Sequence, residues 1–232
     1  MFFAYFRINV LVLISYILVL DYFSSPIFGE DWPEWRGKGR LGIWSETEIL
    51  REFPKSGLKI KWRHSLGSGY SGPAVSNGLV FVADFLPKTG NDGTERLMAL
   101  DEKTGRHIWT HSWEVNYVGL ATSYALGPRA TPTVDEDRVY AIGAKGSLIC
   151  LNSMDGQLVW KKNFVREYGT KVPVWGMVAS PLVEGPLLIA LVGGKNQAKV
   201  MAFNKKTGEE VWRALDSDSE PGYCPPIIIS IG

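Results

Sequence analysis

Three histidines, two cysteines and a handful of loop aromatics hold most of the chemical potential of this 232-residue chain. His107, Trp109 and His111 alternate, which puts them on one face of a strand, and two imidazoles so placed suit metal binding or proton transfer. His64, however, follows Trp62 by two residues as His111 follows Trp109, which favours a recurring surface position over a ligand set. No Cys-x-x-Cys pair or His-Glu-x-x-His run accompanies them, and no metal site is expected. Gly37, Gly39 and Gly42 have the spacing of a dinucleotide-binding turn, but they follow no predicted strand and open no βαβ unit, so they read as a loop. There is no Gly-x-Ser-x-Gly elbow and no Gly-Lys-Ser/Thr phosphate loop. An oxidising compartment would permit Cys150 and Cys224 to pair, yet Cys150 sits where a small buried apolar residue serves, and that structural role is the expectation. No catalytic residue is assigned.

A better candidate lies in segments that precede the predicted strands. Residues 67–71, 116–131, 168–180 and 221–223 each lead into an apolar alternation. If those alternations begin side by side, their lead-in loops meet on one face, where a rigid scaffold concentrates binding residues. Tyr70, Arg129, Trp175 and Tyr223 would then offer aromatic faces and one guanidinium for an anionic group. The competing reading is that they seal the mouth of the scaffold by packing and hydrogen bonding.

The scaffold itself is written as a repeat. Met98–Trp109, Cys150–Trp160 and Met201–Trp212 share an apolar run, an Asp or Asn, a polar stretch with Gly, and an alternation ending in Trp. Gly105, Gly156 and Gly208 recur 51 and then 52 residues apart, as do Trp109, Trp160 and Trp212. Each copy reads as a β-hairpin, the Asx and Gly supplying its turn. A second strand–turn–strand pattern precedes each, at 71–82, 130–141 and 180–190. Four short antiparallel strands per period of about 50 residues are the blades of a β-propeller. Trp62, Trp109, Trp160 and Trp212 are expected to fill the space between blades, as structural docking residues with the three turn glycines, and not to stack on a cofactor. Asp101, Asn152 and Asn204 belong to the turns.

The Ala-x-Asp-x-x-Thr-Gly-x-x-x-Trp pattern resembles the tryptophan-docking repeat of propellers of the pyrroloquinoline-quinone (PQQ) dehydrogenase type. With 31–37, 127–132 and 174–181 it is similar to a bacterial, exported family of PQQ-binding-like β-propeller repeats. The resemblance runs from about residue 31 to the end. It implies an all-β propeller of seven or eight blades. In the full-length family it implies PQQ with calcium, held by Glu and Asn side chains near the axis beside an Asp base; no position here matches those residues. The alcohol-oxidising enzymes also carry an adjacent Cys-Cys pair, absent here. The family includes proteins that bind no quinone, so no cofactor is assigned.

Three units are legible, at about 71–113, 130–163 and 179–214, and residues 223–229 begin a fourth. Residues 59–66, with Trp62, match the last strand of a unit and would complete the final blade of a closed ring. The expectation is a partial propeller over 58–232, about three blades plus an orphan closing strand, in a fragment or truncated reading frame. Residues 1–29 are apolar with a small-residue end and fit a secretory signal peptide; an uncleaved N-terminal membrane anchor is the alternative. Residues 30–57 are an N-terminal extension. Net charge is +1, so no nucleic-acid partner is implied, and aromatic and glycine content suit an exported β protein. The expected location is periplasmic or otherwise outside the cytoplasm, with membrane contact only through the N-terminal segment. The expected function is a binding or assembly scaffold whose inter-blade loops meet a protein or carbohydrate partner. The alternative is a fragment of a PQQ-dependent alcohol or sugar dehydrogenase, and enzymatic activity of this stretch is not expected.

Overall fold

The computed structural model describes residues 29–231 except 48 and 125. The expected signal or anchor segment falls almost wholly outside the described residues. Among them no helix is long and apolar enough to cross a membrane.

Twelve strands form three four-stranded antiparallel sheets, each with its strands in chain order. The first blade is β1 (Ala74–Ser76), β2 (Leu79–Pro87), β3 (Asp92–Asp101) and β4 (His107–Asn116). The second is β5 (Thr133–Asp135), β6 (Arg138–Ile142), β7 (Ser147–Asn152) and β8 (Leu158–Asn163). The third is β9 (Leu182–Glu184), β10 (Leu187–Leu191), β11 (Val200–Asn204) and β12 (Glu210–Ala214). This is the partial propeller that the repeat predicts.

The core lies between blades. Phe81, Leu97, Ala99 and Trp109 of the first pack with Val139, Ala141, Ile149 and Leu151 of the second. Tyr140, Leu148, Cys150 and Trp160 of the second pack with Leu188, Ala190, Met201 and Phe203 of the third. The middle strands are therefore apolar on both faces, and β7 and β11 are buried over most of their length.

The repeat turn has a common construction. The side chains of Asp101, Asn152 and Asn204 accept backbone N–H bonds at 2.8–2.9 Å from residues two or three further on. That brings the chain into the positive φ of Gly105, Gly156 and Gly208. A tryptophan of the preceding unit lies flat on each glycine. A Cβ on Gly105, Gly156 or Gly208 would fall 2.6 Å from the ring of Trp62, Trp109 or Trp160, respectively. Each indole N–H also donates to a carbonyl of the turn it covers: Trp62 to Glu102, Trp109 to Ser153 and Trp160 to Lys205, at 2.8–3.1 Å. A bulge in every outer strand, just before its tryptophan, tilts the ring toward the next blade. Trp109 and Trp160 are 7% and 8% exposed, whereas Trp62 and Trp212 are half-buried.

Two local features depart from the sequence reading. Residues 59–66 form no strand, because among the described residues no sheet edge lies alongside them; Trp62 docks on Gly105 nonetheless. A helix, α1 (Phe164–Tyr168), follows β8. Asn163 caps it by accepting from the Arg166 N–H, Glu167 reaches back to the Asn163 N–H, and Gly169 closes it in the left-handed region. Phe164 and Tyr168 anchor it in the core, where the other blades continue as loop.

The extension at 31–42 runs across the inner strands. Trp32 and Val75 exchange both backbone bonds, Pro33 O accepts from the Val134 N–H, and the Asp31 carboxylate accepts from Ser76. The glycine-rich stretch expected as a loop holds a single 3-10 turn at Lys38–Arg40. Arg40, 3% exposed, pairs with Glu34 at 2.7 Å and donates to the carbonyls of Ser180, Pro181 and Pro226. It ties the extension to the third blade and to the chain that follows.

Candidate functional site

The lead-in loops do converge. Tyr70 and Ser71 N–H groups donate to Pro128 O, and Ser71 Oγ donates to Ala130 O. Thr133 Oγ1 donates to Pro181 O at 2.7 Å. These bonds bring the starts of neighbouring inner strands together and leave a wide cleft of about 540 Å³ lined by Tyr70, Tyr124, Arg129, Trp175 and Val178.

Each lining residue is placed by its backbone. Gly127, at φ +116°, lets the loop pass so close to Ser68 that a Cβ would fall 2.3 Å from the Ser68 carbonyl oxygen. Arg129 follows, with only 9% of its surface exposed. Its guanidinium donates to the carbonyls of Gly127 (2.8 Å) and Ala121 (3.2 Å). It lies 5.5 Å over the Tyr70 ring and 5.9 Å over Tyr117, a cation–π arrangement on two sides. Trp175 stands at the tip of the 173–176 turn, closed by Gly176 N–H to Pro173 O at 2.7 Å. That turn is fastened by Ala121 N–H to Val174 O and Met177 N–H to Ala144 O. Tyr124 leans on Trp175 with ring centres 5.6 Å apart. The three exposed rings and one positive charge suit a flat or extended ligand with an anionic group.

Behind Arg129 lies a carboxylate that the sequence reading missed. Glu95, on β3, is fully buried. Its two oxygens accept from Tyr117 OH (2.5 Å), Trp113 Nε1 (2.7 Å) and Ala144 N (2.9 Å). Burial pushes its pKa up; those three donors and the charge of Arg129 oppose the rise. Burial and the neighbouring Glu95 charge also drive the Tyr117 hydroxyl far up. Asp84, equally buried, is held by Arg96 and the Gly67 N–H, which fixes the loop that carries Tyr70.

Of the four residues proposed from sequence, Tyr70, Arg129 and Trp175 therefore share one cleft, and Tyr223 does not line it. Tyr124 and Val178 complete it, and Tyr124 belongs to a loop that the sequence singled out without choosing that side chain. Cys150 is buried and unpaired, its thiol pushed up to about 12 by burial, and Cys224 is exposed and unpaired. His107 donates to or accepts from Thr110 at 2.7 Å and faces solvent. Among the described residues no group of three or more His, Cys, Asp or Glu side chains is arranged to hold a metal ion.

This donor set bears on the cofactor that the resemblance implies. Arg129 between aromatic rings suits a planar anion such as a quinone carboxylate. Calcium needs six to eight oxygen ligands, and among the described residues no carboxylate lines the cleft. Glu95 has both oxygens engaged behind Tyr117. The residues present do not fit the quinone–calcium pair.

Blades, docking turns and loop cleft define a propeller-repeat protein of the PQQ-like type, and comparison with known proteins agrees. The family model described as outer membrane protein assembly factor BamB matches residues 53–126 and 93–225, and the chain belongs to that family. It is 26% identical over 162 residues to outer membrane protein assembly factor BamB of Shewanella oneidensis, covering 66% of this chain and 36% of that protein. It is 22% identical over 202 residues to the quinohemoprotein alcohol dehydrogenase of Comamonas testosteroni, covering 84% of this chain and 26% of the enzyme. The crystal structure of that enzyme superimposes with a TM-score of 0.60 at 20% identity, over 83% of this chain and 28% of the enzyme, a likeness of fold. The chain thus spans about a quarter to a third of the length of these curated relatives.

Proposed function

We propose that this chain is the propeller scaffold of an exported protein, and that it engages a protein partner through the loop cleft of Tyr70, Tyr124, Arg129 and Trp175. One observation carries the reading. The cleft presents aromatic surface and a fixed guanidinium, yet among the described residues no carboxylate or imidazole lines it to take up a proton. Exposed Tyr and Trp around a buried Arg are the usual anchors of a protein contact. Similarity to an assembly factor points the same way.

The test is site-specific photo-crosslinking in the producing cell. A photoreactive residue at Tyr124, 80% exposed, should give one discrete protein adduct. That adduct should vanish in a Trp175→Ala background, and one at Leu158 on the outer face should not reproduce it. No adduct at Tyr124, or the same adduct from both positions, overturns the reading.

The second reading is a fragment of a quinone-dependent alcohol or sugar dehydrogenase. Similarity to a quinohemoprotein alcohol dehydrogenase over 84% of this chain favours it. It predicts dye-linked alcohol oxidation by the purified chain with added PQQ and calcium, abolished by Arg129→Ala. The donor set argues for no turnover.

A further inference from the structure

A second cleft, of about 430 Å³, opens on the outer side between the first two blades. One wall is β4, with His111 and Trp113; the other is Ile149 and Leu158, with Lys161 on β8 and Arg166 on α1. Its charge is unbalanced for a reason visible in the repeat. Counting from the docking tryptophan, the positions two before and one after face each other across the outer strand. In the first blade they are His107 and Thr110, hydrogen-bonded at 2.7 Å. In the third they are Glu210 and Arg213, a two-point ion pair. In the second they are Leu158 and Lys161. A leucine stands where the third blade has its carboxylate, and Lys161 has no acidic partner among the described residues.

Burial holds the His111 pKa down, and the charge of Lys161 adds to that effect. Two groups that can both be cationic thus line one cleft from adjacent blades, and neither has an acidic partner among the described residues. The remaining charges are committed: Glu114 to Lys88 at 2.7 Å, and Lys162 and Arg166 to Glu167 at 3.7 and 3.8 Å. Among the described residues β4 is hydrogen-bonded to β3 alone, so it leaves a free edge, and residues 111–114 of this strand line the cleft. A free edge accepts an extended chain by strand addition.

We propose that this outer cleft binds an acidic peptide segment, one carboxylate lodging between His111 and Lys161 while the segment extends along β4. Trp113, Ile149 and Leu158 supply the apolar wall that a Glu or Asp stem would cover. A bound carboxylate stabilises the imidazolium, so binding takes up a proton and tightens as pH falls. The groups facing His111 include Trp113 and Glu114 on β4, Ser147 and Ile149 on β7, Lys161 and Lys162 on β8, Arg166 on α1, and the Gly156 carbonyl of the turn. Of these only Glu114 is acidic, and Lys88 and Thr94 occupy it; Glu167 on α1 is held by Lys162, Arg166 and the Asn163 N–H. His111 is therefore the group that titrates on binding.

The experiment is fluorescence anisotropy of the whole chain with a labelled hexapeptide of alternating Glu and Asp, beside its Gln/Asn counterpart with the same label. The acidic probe should bind at least about tenfold more tightly than the neutral one, and Lys161→Glu should abolish that preference. Its affinity should rise about threefold or more from pH 8 to pH 5.5, and His111→Gln should flatten this trend. Lys161 is exposed and His111 half-buried, and circular dichroism should confirm an unchanged fold. Equal binding of the two peptides, or full binding by Lys161→Glu, overturns the proposal. So does displacement by equimolar succinate, which would make the site one for free dicarboxylates, or tighter binding of a single-stranded DNA oligomer.

Discussion

At the residue scale, the side chains that matter most are those whose partners come from another blade. Trp109 and Trp160 each combine a buried indole, an N–H bond and a glycine hole. Replacing either by Ala should cost about 3–5 kcal/mol in urea unfolding. Trp62→Ala should cost clearly less, since its ring is half-buried and its segment lacks a ladder. Gly156→Ala tests the hole itself: the positive φ adds about 1–3 kcal/mol of strain, and the new methyl must displace the Trp109 ring. Glu95 makes a prediction of opposite character. Its folded pKa is raised, so the folded state holds its proton more tightly than the unfolded chain. Its contribution to stability is therefore full at pH values below the usual carboxylate range and is lost as pH rises through the folded pKa. Glu95→Gln should remove that component from a pH series of unfolding midpoints. It should also destabilise at every pH, because an amide N–H₂ would confront one of three fixed donors. Neither Glu95 nor Arg40 is legible in the sequence. Each is a charged residue with ordinary neighbours; the partners of Glu95 lie 18 to 49 positions further on, and those of Arg40, apart from Glu34, lie 140 to 186 further on.

At the element scale, the sequence was informative wherever a local rule repeats. Asx–Gly turns, two-residue alternation and the docking tryptophans recur in phase, so all twelve strands and their grouping could be read directly. The loop cleft was partly legible for the same reason: the repeat shows which segments lead into inner strands, so Tyr70, Arg129 and Trp175 could be brought together without coordinates. Tyr223 lies outside this cleft because the segment after it builds no blade that would hold it beside the others. The helix α1 was missed because five residues are too few to show a helical period, and its caps look like ordinary polar loop. Those caps are its main local support. Asn163→Ala should cost about 1 kcal/mol, read as a lower melting temperature and as faster amide exchange at 166–169.

At the scale of the whole molecule, three blades in series leave two outward sheet faces. On one side Val82, Met98 and Leu100 pack against half-buried Trp62 and Val80. On the other, Leu182, Ile189 and Ala202 lie beneath half-buried Leu187, Val200 and Trp212, and no glycine turn receives Trp212 among the described residues. A blade face of this kind is normally covered by the next repeat. The purified chain should therefore associate as its concentration rises, and Trp212→Lys should shift it toward monomer in sedimentation velocity. An unchanged distribution for Trp212→Lys would place the association elsewhere, for instance at the exposed isoleucines 227–229.

The extension across the inner strands also has a meaning in time. Arg40 leaves the ribosome long before the carbonyls that hold it, since Pro181 and Pro226 come 141 and 186 residues later. At ordinary synthesis rates of about 5–20 residues per second, that is a wait of roughly 10–40 s. For that interval the 31–42 segment has no complete seat, while the blades behind it assemble one after another from nearest-neighbour contacts. Arg40, made early, is then among the last residues to be locked, whereas Trp32 and Pro33 can seat once Val75 and Val134 are made. A ribosome-bound chain halted before Pro226 should still expose the segment to protease, and one extended past it should not.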